Sequence, residues 1–194
     1  IACLLVMTGQ HKETMQDLLD EFAIKSPQVD ALTAAEHSTV TSLVRWIPSA
    51  WRGLTRQIGR LAENGGMLDV VVHGDTLSTL LGAFVARRLR ASVIHVESGL
   101  SSGRLTDPFP EELIRRFIFR LTSVAFCPTP ETTSRMRRFG CETVDTLGNT
   151  IIDAVRTSIG RRSGHQQPYI VASLHRFQNI YSPRRLDYLV RLLV

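Results

Sequence analysis

VVVHGDTLS, residues 70–78, decides the fold. Val70, Val71 and Val72 read as a buried strand. Beyond Asp75 the apolar positions are 77, 80, 81, 84 and 85, which is helical spacing. A strand that passes into a helix through His73-Gly74-Asp75-Thr76 is the repeating unit of an α/β protein. An ionisable aspartate at that junction sits where parallel sheets carry their chemistry, outside the carboxyl ends of the strands.

The same alternation extends in both directions. Residues 2–7 predict a strand ending at Thr8-Gly9-Gln10-His11, then a helix with Met15, Leu18, Leu19 and Phe22 on one face. Residues 26–49 are weakly patterned, with Pro27 and Pro48 as breaks. Leu54, Ile58 and Leu61 predict a helix that Asn64-Gly65-Gly66 ends. Strands are predicted at 68–73, 91–96, 123–127 and near 142–147. Pro110 opens a helix at its first turn, with Leu113, Ile114, Phe117, Ile118 and Leu121 toward the core. Thr129-Pro130 start another, which Gly140 ends, and a further helix follows Gly148-Asn149-Thr150. Residues 160–168 read as a linker, 169–174 as a new strand, and Ser182-Pro183 as the cap of a last helix carrying Leu186, Leu189, Val190 and Leu193. Alternating strands and helices imply a parallel sheet covered on both faces.

Composition narrows the function. The chain has 194 residues, 43% of them hydrophobic, enough to bury a substantial core. The net charge of +5 is mostly arginine spread along the chain, and aromatics are only 7%. A nucleic-acid groove would interleave aromatics with the basic residues, so nucleic acid is not expected as a partner. No apolar run is long enough to span a bilayer, and no membrane partner is expected. Cys3, Cys127 and Cys141 form no CxxC pair, which suits a cytoplasmic location. The chain begins at Ile1 within an apolar run and stops at Val194 within a helical pattern, which reads as a piece of a longer protein.

Four polar clusters fall at or after strand ends: Gly9-Gln10-His11, His73 to Thr76, His95-Val96-Glu97, and His175-Arg176. A fifth, Pro108-Phe109-Pro110-Glu111-Glu112, opens a helix. Asp75 alone could be a helix cap, and Glu111 and Glu112 alone could answer the helix dipole. His73 and His95 could be core histidines, or could pair with Asp75 and Glu97 around a metal. No supporting ligand spacing accompanies them, so no metal is expected. There is no Walker loop and no GxGxxG, hence no sign of ATP or NAD. Taken together, carboxylates and histidines at one sheet edge suit proton transfer at carbon, with a neighbouring cation for the leaving group.

These motifs occur in an order that resembles the UDP-N-acetylglucosamine 2-epimerases: TGQH at 8–11, HGDT at 73–76, HVESGL at 95–100, PFPEE at 108–112, PTPE at 128–131, GNTIID at 148–153 and HR at 175–176. The resemblance implies a GT-B architecture of two Rossmann-like domains, here 1–158 and the beginning of the second at 159–194. It implies interconversion of UDP-N-acetylglucosamine and UDP-N-acetylmannosamine through 2-acetamidoglucal, without a cofactor, in a cytoplasmic homodimer. Asp75, Glu97, Glu111 and His175 would be catalytic, Arg115 and Arg176 would hold phosphate or orient carboxylates, and Gln10 and His11 would contact a nucleotide sugar. Ser101, Ile114 and Phe177 depart from the family pattern. A hydrolysing epimerase that releases N-acetylmannosamine, a nucleotide-sugar binding module and a metal-dependent hydrolase remain as alternatives.

Overall fold

The computed structural model describes residues 3–9, 12–31, 40–63, 67–105, 108–159, 171–172 and 182–193. The chain divides into two compact units, Ile1–Ala154 and Val155–Val194. The first contains β1 (Leu5–Met7), α1 (Lys12–Glu21), β2 (Gln28–Asp30), α2 (Val40–Ala62), β3 (Asp69–His73), α3 (Leu77–Arg88), β4 (Ser92–Val96), α4 (Glu111–Leu121), β5 (Val124–Cys127), α5 (Pro130–Arg137) and β6 (Glu142–Asp145). The division falls within α6 (Thr150–Ile159). The second unit contains α7 (Pro183–Leu193), which starts on Ser182 as predicted, its carbonyl accepting the Leu186 N–H at 2.9 Å.

Strands β3, β4, β5 and β6 form a parallel sheet in sequence order, and β1 pairs in parallel with β2. Each connection within the larger sheet is a helix, as parallel pairing requires. Alternation sets which side chains enter the core: Val93 and His95 from β4, Ala125 and Cys127 from β5. All carboxyl ends of the four strands therefore lie along one edge, and His73, Glu97 and the turns beyond them meet there.

Pro48 does not break the chain. It lies inside the 23-residue helix α2. A proline in a helix interior costs about 3 kcal/mol. Trp46, Ala50, Leu54 and Ile58, at four-residue spacing, are buried with Leu81 and Val85 of α3. Burying a large apolar side chain contributes roughly 1.5–3 kcal/mol, so this face outweighs the lost hydrogen bond. The Trp46 indole N–H also donates to the Thr8 carbonyl at 3.1 Å, fastening α2 to the end of β1.

Two apolar faces are turned from their predicted positions. Among the described side chains of α1 only Leu19 is buried, while Met15 and Leu18 are exposed. On α4 the buried residues are Glu112, Ile118 and Phe119, whereas Leu113 and Phe117 face out. The buried face of α4 is rotated toward Glu112, a carboxylate with partners on both oxygens that the apolar spacing did not place in the core. Pro110 is the N-cap of α4, one position ahead of its first turn. The predicted strand at 169–174 falls largely outside the described residues, and Val171 and Ala172 have no regular structure. The Asn64-Gly65-Gly66 stop and the 160–168 linker also lie outside them.

Candidate active site

The turn after β3 and the turn after β4 lie side by side. β3 ends at His73, and Gly74 takes a left-handed conformation at φ 68°. This turn interrupts the period-two alternation that would have put His73 and Asp75 on one side. Thr76 then caps α3, its hydroxyl accepting the Thr79 N–H at 3.2 Å. Asp75 is thus not the cap, and its carboxylate is left for another partner. Arg115 of α4 supplies it, with Nη2 2.5 Å from Asp75 Oδ2.

β4 ends at Val96, and Glu97 is itself left-handed at φ 61°. A non-glycine residue there carries about 1–2 kcal/mol of backbone strain. The Ser98 N–H, donating to the Phe126 carbonyl at 2.8 Å, holds the turn down. The Glu97 carboxylate is held on both oxygens. Asn149 donates to Oε1 at 2.6 Å, and His73 Nε2 lies 3.2 Å from Oε2. Asp75, Glu97, Arg115 and Gly74 line one open depression, with His95 and Phe119 beneath it.

His95 is a core histidine, 1% exposed. Burial pushes its pKa down to about 4, against a smaller upward effect of the Gly74 carbonyl. The ring is therefore neutral at physiological pH. Nε2 lies 2.9 Å from the Gly74 carbonyl oxygen and must carry the proton, so Nδ1 accepts from the Ser98 hydroxyl, also at 2.9 Å. Both nitrogens are committed, so His95 cannot be the metal ligand that its pairing with Glu97 had left open. No group of three metal-binding side chains occurs among the described residues. His73 is the reverse case: its side chain is 60% exposed, so it is no core histidine.

Glu111 and Glu112 diverge at the start of α4. Glu112 is fully buried. Its Oε1 accepts from the Ser101 hydroxyl and, at 3.2 Å, from Arg116 Nε; its Oε2 accepts from the Ser102 N–H at 3.1 Å. Arg115 Nη1 is 3.6 Å from the same Oε2. Burial alone would raise the Glu112 pKa, but the Ser101, Ser102 and Arg116 hydrogen bonds outweigh it, and the net direction is down. Glu111 has a buried Oε2 with no hydrogen-bond partner among the described residues.

Of the predicted site residues, Asp75, Glu97 and Arg115 come together, with Glu111 on the same helix as Arg115. Gln10, His11, His175 and Arg176 lie outside the described residues. Asn149, Ser98 and Glu112 were not singled out as site residues. Asn149 had a signal, since GNT directly follows the last strand of the sheet, but nothing in the spacing tied it to Glu97.

A carboxylate-and-arginine grouping on the edge of a parallel sheet defines an α/β protein equipped for acid–base chemistry on a small ligand. Comparison with known proteins narrows the class: the UDP-N-acetylglucosamine 2-epimerase family matches residues 1–194, and the chain belongs to that family. UDP-N-acetylglucosamine 2-epimerase of Bacillus subtilis is 30% identical over 190 residues, covering 92% of this chain and 47% of the relative. The enzyme of the same name from Methanocaldococcus jannaschii is 33% identical over 135 residues, covering 62% and 36%. The chain spans about half the length of the first of these curated relatives. A crystal structure of UDP-GlcNAc 2-epimerase from Neisseria meningitidis bound to UDP-GlcNAc matches with TM-score 0.63 and 26% identity, covering 78% of this chain and 39% of that one. The Methanocaldococcus jannaschii enzyme in complex with UDP-GlcNAc and UDP matches in fold, with TM-score 0.73 and 24% identity, over 97% and 53%. The fold class is the expected one, α/β of the GT-B type with a parallel sheet and helices on both sides.

Proposed function

We propose that the protein carrying this chain is a UDP-N-acetylglucosamine 2-epimerase, cytoplasmic and dimeric, and that residues 1–158 form its first Rossmann-like domain. The single observation that carries the reading is the pairing of Asp75 with Arg115 beside a Glu97 held on both oxygens, all in one depression. A carboxylate can take the proton from C2 of the sugar while the electron pair forms the C1=C2 bond. As it forms, the C1–O bond breaks, UDP leaves with the C1–O electron pair, and 2-acetamidoglucal remains. Readdition of UDP with protonation on the opposite face of C2 gives UDP-N-acetylmannosamine.

In this reading Asp75, Glu97 and Glu111 form the acid–base set and Arg115 orients Asp75. The buried oxygen of Glu111, without a partner among the described residues, supports its place in that set, because such a carboxyl oxygen calls for a reason. His175 and Arg176 act at the sugar-diphosphate end, and Gln10 and His11 contact a nucleotide sugar. Asp75→Asn and Glu97→Gln test the assignment. Each is expected to stop exchange of the C2 proton with solvent while UDP binding and the fold persist. Exchange at the wild-type rate in both variants would remove the two carboxylates from the mechanism.

A further inference from the structure

We propose that His95, through Ser98, is a positioning residue that locks the Asp75-bearing turn to the Glu97-bearing turn. The inference rests on the epimerase reading above and adds a residue to it. The two carboxylates sit on separate loops, each one or two residues beyond its strand, and both loops pass through a left-handed residue, Gly74 or Glu97. Each turn keeps one backbone bond to the sheet: the Gly74 N–H donates to the Val96 carbonyl at 3.3 Å, and the Ser98 N–H to the Phe126 carbonyl. Those bonds fix each turn against a strand. The first also joins the residue before Asp75 to the residue before Glu97, and His73 reaches the Glu97 carboxylate, but neither holds the Gly74 carbonyl from which Asp75 follows.

The His95 ring adds a further link between the two turns. It donates to the carbonyl of the residue just before Asp75 and accepts from the hydroxyl of the residue just after Glu97. Both bonds need the neutral ring with its proton on Nε2, and the apolar setting beside Phe119, with ring centroids 6.1 Å apart, favours that form. Protonation elsewhere would turn the Nδ1 acceptor into a donor. A side chain so placed does not touch substrate; it sets the distance between two groups that do. Geometry at that level has kinetic weight, since a displacement of about 1 Å can cost roughly 100-fold in rate.

The test uses the protein carrying this chain, assayed for epimerisation and for C2 exchange, with wild type, His95→Gln and Ser98→Ala. Glutamine can still donate toward Gly74 but offers no Nδ1 acceptor to Ser98. Ser98→Ala removes one hydroxyl and little volume, so it remains informative if His95→Gln fails to fold. The expected result is a kcat loss of about 10- to 100-fold in each folded variant, with KM little changed. The double variant should be no worse than the more damaged single one. Both folded variants turning over at the wild-type kcat, or losses that multiply in the double variant, would overturn the positioning role. Wild-type protein that binds UDP yet shows no exchange would overturn the epimerase reading instead, and the positioning role with it.

Discussion

Glu112→Ala should cost the first unit about 3 kcal/mol of stability, and the figure follows from what each partner can do afterwards. The Glu112 carboxylate is fully buried. Breaking a buried pair by removing one member costs roughly 3–5 kcal/mol when the survivor stays buried. The Arg116 side chain is 36% exposed, so it can turn to water, which lowers that figure. Ser102 is exposed, so its N–H loses only the net worth of a hydrogen bond to a charged group, roughly 1.5–3 kcal/mol. One methylene leaves a packed site with the carboxylate, at about 0.8 kcal/mol. Glu112→Gln keeps the shape and one acceptor but sets a donor against the Arg116 or Ser102 donors, so a loss of about 1–2 kcal/mol is expected. Both tryptophans of the protein, Trp46 and Trp51, lie in α2 of the same unit, so urea unfolding followed by tryptophan fluorescence reads this unit directly. The pKa of Glu112 is depressed, so its stabilisation is present above the ordinary glutamate value of 4.5 and fades as pH falls through the depressed value. The gap between wild type and Glu112→Ala must therefore narrow in acid. A gap below about 1 kcal/mol at neutral pH, or one that widens in acid, would refute the reasoning.

Other consequences follow from the same geometry. His95 binds a proton near pH 6.5 when unfolded but only near 4 when folded, so stability should fall as pH drops between those values and level off below. The shift corresponds to at most about 3 kcal/mol, and urea melts of His95→Gln should lose that part of the acid slope. Gly99→Ala would put a Cβ 2.7 Å from the Thr132 carbonyl oxygen at φ 85°, so its thermal midpoint should fall, by an overpacking cost of about 1–3 kcal/mol. Pro48→Ala restores a helix N–H at an exposed position and should raise the urea midpoint, by about 1–2 kcal/mol after allowing for a looser unfolded chain.

The sheet edge was legible because it is written in short-range patterns. Val70 to Val72 and the 77, 80, 81, 84, 85 spacing mark β3 and α3, and the observed elements begin and end within a residue or two of the predicted ones. Long-range pairing was not legible. Nothing local shows that Asn149 reaches Glu97 across 52 positions or that Ser101 meets Glu112. The inward turn of Glu112 depends on those distant donors, so apolar periodicity alone placed the α4 face wrongly. Pro48 misled for a similar reason, because the weight that carries α2 through it comes from packing against α3. His95 could be weighed as a core residue from its place in a buried strand, but its tie to both turns needed the register of β3 against β4.

The most direct test is to incubate the protein carrying this chain with UDP-N-acetylglucosamine in D₂O and follow C2 by proton NMR. The account predicts deuterium at C2 while UDP-N-acetylmannosamine accumulates. A folded protein that binds UDP but leaves the C2 proton in place would contradict it.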